Sequence, residues 1–365
     1  MEFALLYELA NPKPWNERSE HKIWWEALEQ VELADSLGYD AVWAVEHHFL
    51  EELSSCSAPE VWLTACAMKT KKMRIGHGVV LLPTPFNHPI RVAERIAALD
   101  IISNGRVEFG VGRGSSWAEL GGFEVPPEQS REMVLESVTM IPKMWATDLF
   151  SYEGKFVTVP PRNIIPKPIQ KPHPPMWMAC GSADTYEIAG EMGLGVLAFG
   201  AYSPDKVGER VRAYREKLKN AKPVGQFVND KVAAFCMMYC GESDDEADAT
   251  AGPTVMWYDE VFARFFSAGD VEKYRGADHR TFEEKPRVHE PRKEQQDMKA
   301  RMARARTDRG LCVGSAESII KVVKRYEANG IDQVLFIVQS GMLKHDDIVA
   351  SLKRFKKEVM PAFGR

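Results

Sequence analysis

The sequence predicts an α/β protein of the (β/α)8, or TIM-barrel, class. Short β-branched or aromatic runs alternate with longer helical patterns along the chain. The runs are apolar almost without interruption, as strands of a parallel sheet covered by helices require. There are eight of them. An open doubly wound sheet would serve equally well through the fifth, and the full count favours closure. The 365 residues suit one such barrel, residues 1–365, as a single domain, because barrels routinely exceed the usual domain size.

The elements follow in order. "EFALLY" (2–7) reads as the first strand, and an amphipathic helix over about 20–37 follows a Pro-rich turn. "DAVWAV" (40–45) is the second strand, with a helix from Pro59 to Met68. "MRIGHGVVLL" (73–82) is the third. In "HPIRVAERIAALDIIS", Pro89 suits the first turn of a helix, where its missing N–H costs nothing. "RVEFGVG" (106–112) is the fourth strand, before a helix over about 127–147. After a Pro-rich excursion (160–175), "PMWMAC" (175–180) is the fifth, and Ser182 opens another helix. "LGVLAFG" (194–200), "KVAAFCMMYC" (231–240) and "DQVLFIVQ" (332–339) complete the eight. One region breaks the rhythm, a rim insertion at about 243–310 after the seventh strand. It begins helix-like (243–268), and 270–310 is charged and nearly devoid of aliphatic residues. Such a stretch buries little surface, so it reads as a solvated insert or as a lid, since loops after barrel strands lie on the catalytic face.

Composition narrows the function. With 45% hydrophobic and 27% charged residues and a net charge of −5, the chain has no basic field to suit nucleic acid. No run reaches the roughly 18 apolar residues of a membrane span. The acidic start "MEFALLYELANPKPW" lacks a signal peptide's basic region, so a cytoplasmic location is expected. Cys56, Cys66, Cys180, Cys236, Cys240 and Cys312 form no CxxC pair, and small buried hydrophobes is the favoured account over zinc or a disulfide.

Barrel chemistry sits at the C-terminal ends of strands. The second strand ends in Glu46-His47-His48, the third contains His77-Gly78-Val79, the fourth ends in "GVGRGSS" and the fifth in "CGSADT". Adjacent strand residues face opposite ways, so one of His47 and His48 is expected at the mouth and the other behind it. No metal-binding cluster such as HExxH is present, and a metal is not expected. In "FGVGRGSSW" the glycines permit close backbone approach and Arg113 offers a fork suited to phosphate. A dinucleotide fingerprint would need the first βα unit, and a plain rim turn is the other reading. "CGSADT" opens a helix, so Ser182 and Thr185 can cap it, bind an anion there, or do both. Gly78 inside a strand suggests a bulge or a flat ring lying on the Gly78–Val79 backbone. His88 reads as a helix-start cap.

The segments "GYDAVWAVEHHF", "TKKMRIGHGVVLLPT", "HPIRVAERIAALDIISNGRVEFGVGRG" and "PMWMACGSADTYEIAGEMGL" together resemble the bacterial luciferase-like flavin monooxygenases. The similarity resumes over "VGSAESIIKVVKRYEANGIDQVLFIV" and "FKKEVMPAF". The resemblance implies a dimeric barrel that takes reduced FMN from a separate NAD(P)H:flavin reductase. With O2 it would form a C4a-(hydro)peroxide and oxygenate a small organic substrate. By position it implies His47 as the active-site histidine, and Arg113 with Gly181, Ser182 and Thr185 at the phosphate. It implies a non-prolyl cis peptide at Gly78–Val79 under the flavin ring. Trp117, Trp177 and Phe199 are expected to help exclude water. Luciferase has a glutamate at the place of Gly181 and a reactive cysteine at that of Gly112, which puts light emission and a long-chain aldehyde substrate in doubt. An F420-dependent oxidoreductase and a non-catalytic flavin-binding subunit are the alternatives. Arg113 argues against the first, because F420 relatives tend to carry a "GTGE"-like stretch there, and the double histidine against the second.

Overall fold

The computed structural model describes residues 1–199, 203–266 and 295–365. Its strands are β1 (Glu2–Tyr7), β2 (Ala41–Ala44), β3 (Arg74–Leu81), β4 (Val107–Gly112), β5 (Phe150–Glu153), β6 (Thr158–Arg162), β7 (Met176–Cys180), β8 (Gly195–Ala198), β9 (Val232–Cys240), β10 (Cys312–Gly314) and β11 (Gln333–Ile337). Eight of these pair in parallel in the order β9-β11-β1-β2-β3-β4-β7-β8, and β8 returns to β9 to close a TIM barrel. These are the eight runs picked out above, and their ends lie within a few residues of the expected ones.

The outer layer comprises α1 (Ser19–Leu37), α2 (Pro59–Lys69), α3 (Pro89–Ile102), α4 (Trp117–Gly122), α5 (Ser130–Ala146), α6 (Ala183–Glu191), α7 (Pro204–Leu218), α8 (Asp244–Phe266), α9 (Gln295–Arg309), α10 (Ala316–Ala328) and α11 (His345–Arg354). Proline opens α2, α3 and α7 within the first turn, as its missing N–H allows. His88 caps α3, its Nδ1 accepting from the Ile90 N–H at 3.3 Å.

Two pieces of sheet lie outside the expectation. β5 and β6 form an antiparallel hairpin within the stretch read as an irregular excursion. Their residues are mostly exposed, so they carry no apolar run to announce them. The three-residue β10 adds to the far end of β9. The expected charged excursion, 270–310, lies outside the described residues as far as 294. From there on the expectation of a solvated stretch is corrected, because α9 is tied down. Arg306 pairs with Asp248, Arg309 makes two bonds to Asp259 at 2.5 and 2.7 Å, and Met302 is fully buried. Sparse aliphatic residues suffice where two arginines reach carboxylates on α8.

The barrel floor carries a polar network with two indoles above it. Glu108 pairs with Arg74 and accepts from Trp177 Nε1 at 2.6 Å. Gln333 accepts from Trp43 Nε1 at 3.1 Å and donates to Glu2 at 2.9 Å. The two indoles meet edge to face, centroids 5.5 Å apart, a favoured aromatic geometry. Trp177 therefore belongs to the floor. It is removed from the water-excluding group expected at the mouth.

A side chain at Gly76 would put its Cβ 2.2 Å from the Trp43 ring, and one at Gly195 would lie 2.6 Å from Trp177. These glycines make room for the indoles. Gly76→Ala should therefore cost about 1–3 kcal/mol, the usual overpacking penalty, read from the urea midpoint. An unchanged midpoint would show that Trp43 can tilt away freely.

Candidate functional site

At the C-terminal mouth lies a cavity of about 450 Å³. His47, Gly78, Val79, Arg113, Gly181, Ser182 and Thr185 all line it, as does Phe199. Trp117, at the start of α4, and Trp177 do not. The β3–β4 register slips between His77 and Val80, and within that slip the Gly78–Val79 peptide is cis. The glycine thus sits in an irregularity that also borders the cavity. His77 points elsewhere. Burial, reinforced by the charge of Arg95, pushes it down to about 3, so it is a neutral part of the wall.

The adjacent histidines separate as strand geometry requires. His47 faces the cavity. His48 turns behind it, its ring 4.7 Å from Phe123 and its Nε2 3.2 Å from Glu46. Glu46 also accepts from the Leu81 N–H and the Asn87 amide, each at 2.8 Å, tying the end of β2 to that of β3. His47 Nδ1 meets Glu119 Oε1 at 2.9 Å. The same oxygen accepts from the His48 N–H at 3.0 Å, and the other from Ser116 Oγ at 2.7 Å. Burial by itself would lower the His47 pKa. The charge and hydrogen bond of Glu119, with the charges of Glu8 and Glu46, outweigh it and leave the imidazole above its ordinary value. Glu119 shows the opposite sign. Burial favours its neutral form, but His47, Ser116 and the His48 N–H hold it below the usual carboxylate range.

The other end of the cavity is cationic. Arg113 reaches Ser130 Oγ at 3.4 Å and has no carboxylate within ion-pair distance among the described residues. Burial and then the neighbouring Arg131 depress its pKa, with Asp184 offsetting part of this. Arg131 pairs with Asp184 at 2.6 Å at the start of α6. The Thr185 hydroxyl accepts from the Ser182 N–H at 3.2 Å and donates to the Ser182 carbonyl at 2.7 Å, while Ser182 Oγ bonds Asp184. Arg210 donates to the Gly181 carbonyl at 3.0 Å and holds this turn. A half-buried guanidinium without a counter-charge, facing a helix N-terminus, fits a phosphate. Between the two ends, Leu6, Val79, Val134, Met178 and Leu197 supply an apolar wall that fits a flat ring system. A flavin mononucleotide matches this sequence of surfaces.

Four residues of the site escaped sequence reading. Glu8 immediately follows β1 and lines the cavity. The strand-end rule applied to strands two to five would have found it in the first. Glu119 is announced by Ser116-x-x-Glu119, a capping-box pattern, but its carboxylate goes to His47. Arg131 and Tyr258 lie within helical patterns, where nothing separates a site residue from a surface one.

The luciferase-like monooxygenase family model matches residues 7–333. The chain belongs to this family. The oxygenase component of the flavin-dependent trigonelline monooxygenase of Acinetobacter baylyi is 27% identical over 372 residues, covering 100% of this chain and 96% of that protein. Among solved structures, the monooxygenase RslO1 from Streptomyces bottropensis superposes with a TM-score of 0.81 at 24% identity over all of both chains. The oxygenating constituent of 3,6-diketocamphane monooxygenase from Pseudomonas putida, solved with FMN, gives 0.72 at 20%, covering 99% of this chain and 98% of that one. An F420-dependent secondary alcohol dehydrogenase gives 0.70 at 18% with the same coverage. At these identities the structural likenesses bear on the fold. Among the described residues no helix is long and apolar enough to cross a membrane, and no group of metal-ligating side chains is found.

The His47–Glu119 pair makes stability depend on pH in a defined direction. His47 is raised, so its contribution is complete below about pH 6.5 and is lost as pH climbs through its higher folded pKa. Glu119 is lowered, so its contribution is complete above about pH 4.3 and is lost as pH falls through its lower folded pKa. Glu119→Gln should therefore lose more stability near pH 6 than near pH 9, measured by urea unfolding. The NMR titration midpoint of the His47 ring protons should drop in the variant. A midpoint that stays put would show that Glu119 does not set it.

Proposed function

We propose that this chain is the oxygenase component of a two-component flavin-dependent monooxygenase. It takes reduced FMN from a separate NAD(P)H:flavin reductase and uses O2 to oxygenate a small organic substrate. What carries the reading is the polarity of the single cavity, with an uncompensated Arg113 at one end and the His47–Glu119 pair at the other. In this reading Arg113, Ser182, Thr185 and the Gly181 backbone hold the phosphate, and Gly78–Val79 backs the ring. Bound there, reduced flavin supplies two electrons and activates O2, so that one oxygen atom reaches the substrate and the other leaves as water.

His47 manages the proton. Its Nδ1 is held by Glu119, which leaves Nε2 as the nitrogen facing the cavity. An imidazole whose pKa lies somewhat above its ordinary value carries a proton near neutrality and can give it up, as a general acid must. The aromatic residues Tyr258, Phe262 and Phe266 recur every fourth position on α8. Phe262 and Phe266 approach Phe199 with centroids 6.1 and 6.3 Å away, and Phe266 lies 6.0 Å from His47. This apolar cover supports assigning 243–310 as a lid on a single 1–365 barrel, working as a cytoplasmic dimer.

Anaerobic titration with photoreduced FMN tests the reading. Wild-type protein should bind it, and Arg113→Ala should weaken binding roughly ten- to hundredfold, the scale of a lost charged hydrogen bond. His47→Ala should keep FMN and cut product formation ~10²–10⁴-fold. Absence of binding to reduced FMN, with binding of F420 instead, would overturn the proposal in favour of oxygen-independent hydride transfer. Flavin binding with no O2 consumed on any substrate would favour a non-catalytic subunit.

A further inference from the structure

Glu8 is the residue at this mouth that the preceding account leaves without work. It follows β1 directly, lines the cavity and is only 6% exposed. Its Oε1 accepts the Tyr258 hydroxyl at 2.9 Å. Its Oε2 is buried and has no hydrogen-bond partner among the described residues. A buried carboxyl with one oxygen held and the other bare is costly unless a ligand completes it.

We propose that Glu8, held from behind by Tyr258, anchors the substrate by donating a hydrogen bond from Oε2 to the carbonyl oxygen of a neutral, largely apolar molecule. The inference rests on the flavin reading only in giving the space before Glu8 to the substrate.

The position of the proton follows from the neighbours. Tyr258 fills Oε1, so the acid proton of the neutral carboxyl belongs on Oε2. The titratable groups facing Glu8 are Tyr258 from α8, His47 after β2 and Cys56 from the loop beyond. Burial pushes Glu8 up to about 7, with His47 and the Tyr258 bond offsetting part of the effect. A bound apolar molecule removes the remaining water and moves the carboxyl further toward its neutral, donating form. His47 also bears on the substrate's charge. Its imidazole is held toward the cationic form by Glu119, so a cationic ligand at Oε2 would meet a like charge. Leu6, Val45, Phe199, Phe235 and Leu335 complete the lining with apolar surface.

The test uses wild type, Glu8→Gln and Glu8→Leu, each loaded with oxidised FMN. Benzaldehyde is the neutral carbonyl probe and N-methylpyridinium a planar cation of similar size. Gln keeps a neutral donor, so wild type and Glu8→Gln should bind benzaldehyde alike. Glu8→Leu should bind it about three- to tenfold more weakly, the loss of one neutral hydrogen bond. Infrared difference spectra of the wild type should show a protonated-carboxyl stretch that shifts with benzaldehyde and is missing from Glu8→Gln. Equal benzaldehyde binding by all three proteins would overturn the proposal. So would tighter binding of N-methylpyridinium that is lost in Glu8→Gln, because that would mark a carboxylate cation site. FMN affinity and melting temperature are measured first on every variant. Failure of wild type to bind FMN would count against the flavin reading, and the same probe titrations on flavin-free protein would still decide the role of Glu8.

Discussion

Glu119 is buried completely, yet both of its oxygens are engaged. Ser116 donates from within its own helical turn, while His47 and the His48 backbone donate from the rim after β2. A carboxylate out of water is tolerated only with such compensation. The arrangement joins two loops that follow non-adjacent strands. Glu46 does the same for the neighbouring pair, joining the end of β2 to Leu81 and Asn87 beyond the cis peptide. The mouth is therefore shaped by two sunken acids more than by packing. The identity of the ring nitrogen that faces inward is a by-product of that bracing.

Seen along its length, the cavity is an electrostatic gradient. Arg113, Arg131 and the start of α6 occupy one end, and Glu8 and Glu46 the other, with aliphatic side chains between. A molecule with an anionic tail and a flat uncharged body has one favourable way to enter. Tail-first insertion beside the acids would set like charges together in a poorly solvated space, where repulsion is strong. Orientation is thus decided by the ends, and the middle needs only to be smooth and dry.

Much of this was legible in the sequence. The eight apolar runs specify closure because each buried strand must exclude polar residues along its whole length, a signal hard to produce otherwise. The strand-end rule located His47, Gly78, Val79, Arg113, Gly181, Ser182 and Thr185, and all line one cavity. Trp177 shows where the rule fails. It lies in the middle of β7, and only the three-dimensional layer, with Glu108 beneath it and Gly195 alongside, reveals that it faces the floor. Glu119 and Tyr258 were hidden for another reason. Both lie on helices, and helical spacing describes a side chain's neighbours on its own helix but says nothing about which loop it will reach. The β5–β6 hairpin escaped because an exposed pair of short strands has no hydrophobic signature to detect.

All six cysteines are buried and unpaired. Burial raises the pKa of Cys56, Cys66, Cys180, Cys240 and Cys312, which keeps these sulfurs as thiols. Peroxides attack thiolates, and they do so where they can reach them. A protein whose relatives handle dioxygen is exposed to the stray oxidants of incomplete turnover. Here the most oxidisable side chains serve only as small apolar filling in the walls around the barrel. The fold has in effect passivated its own sulfur, and its working life in air need not be limited by thiol chemistry.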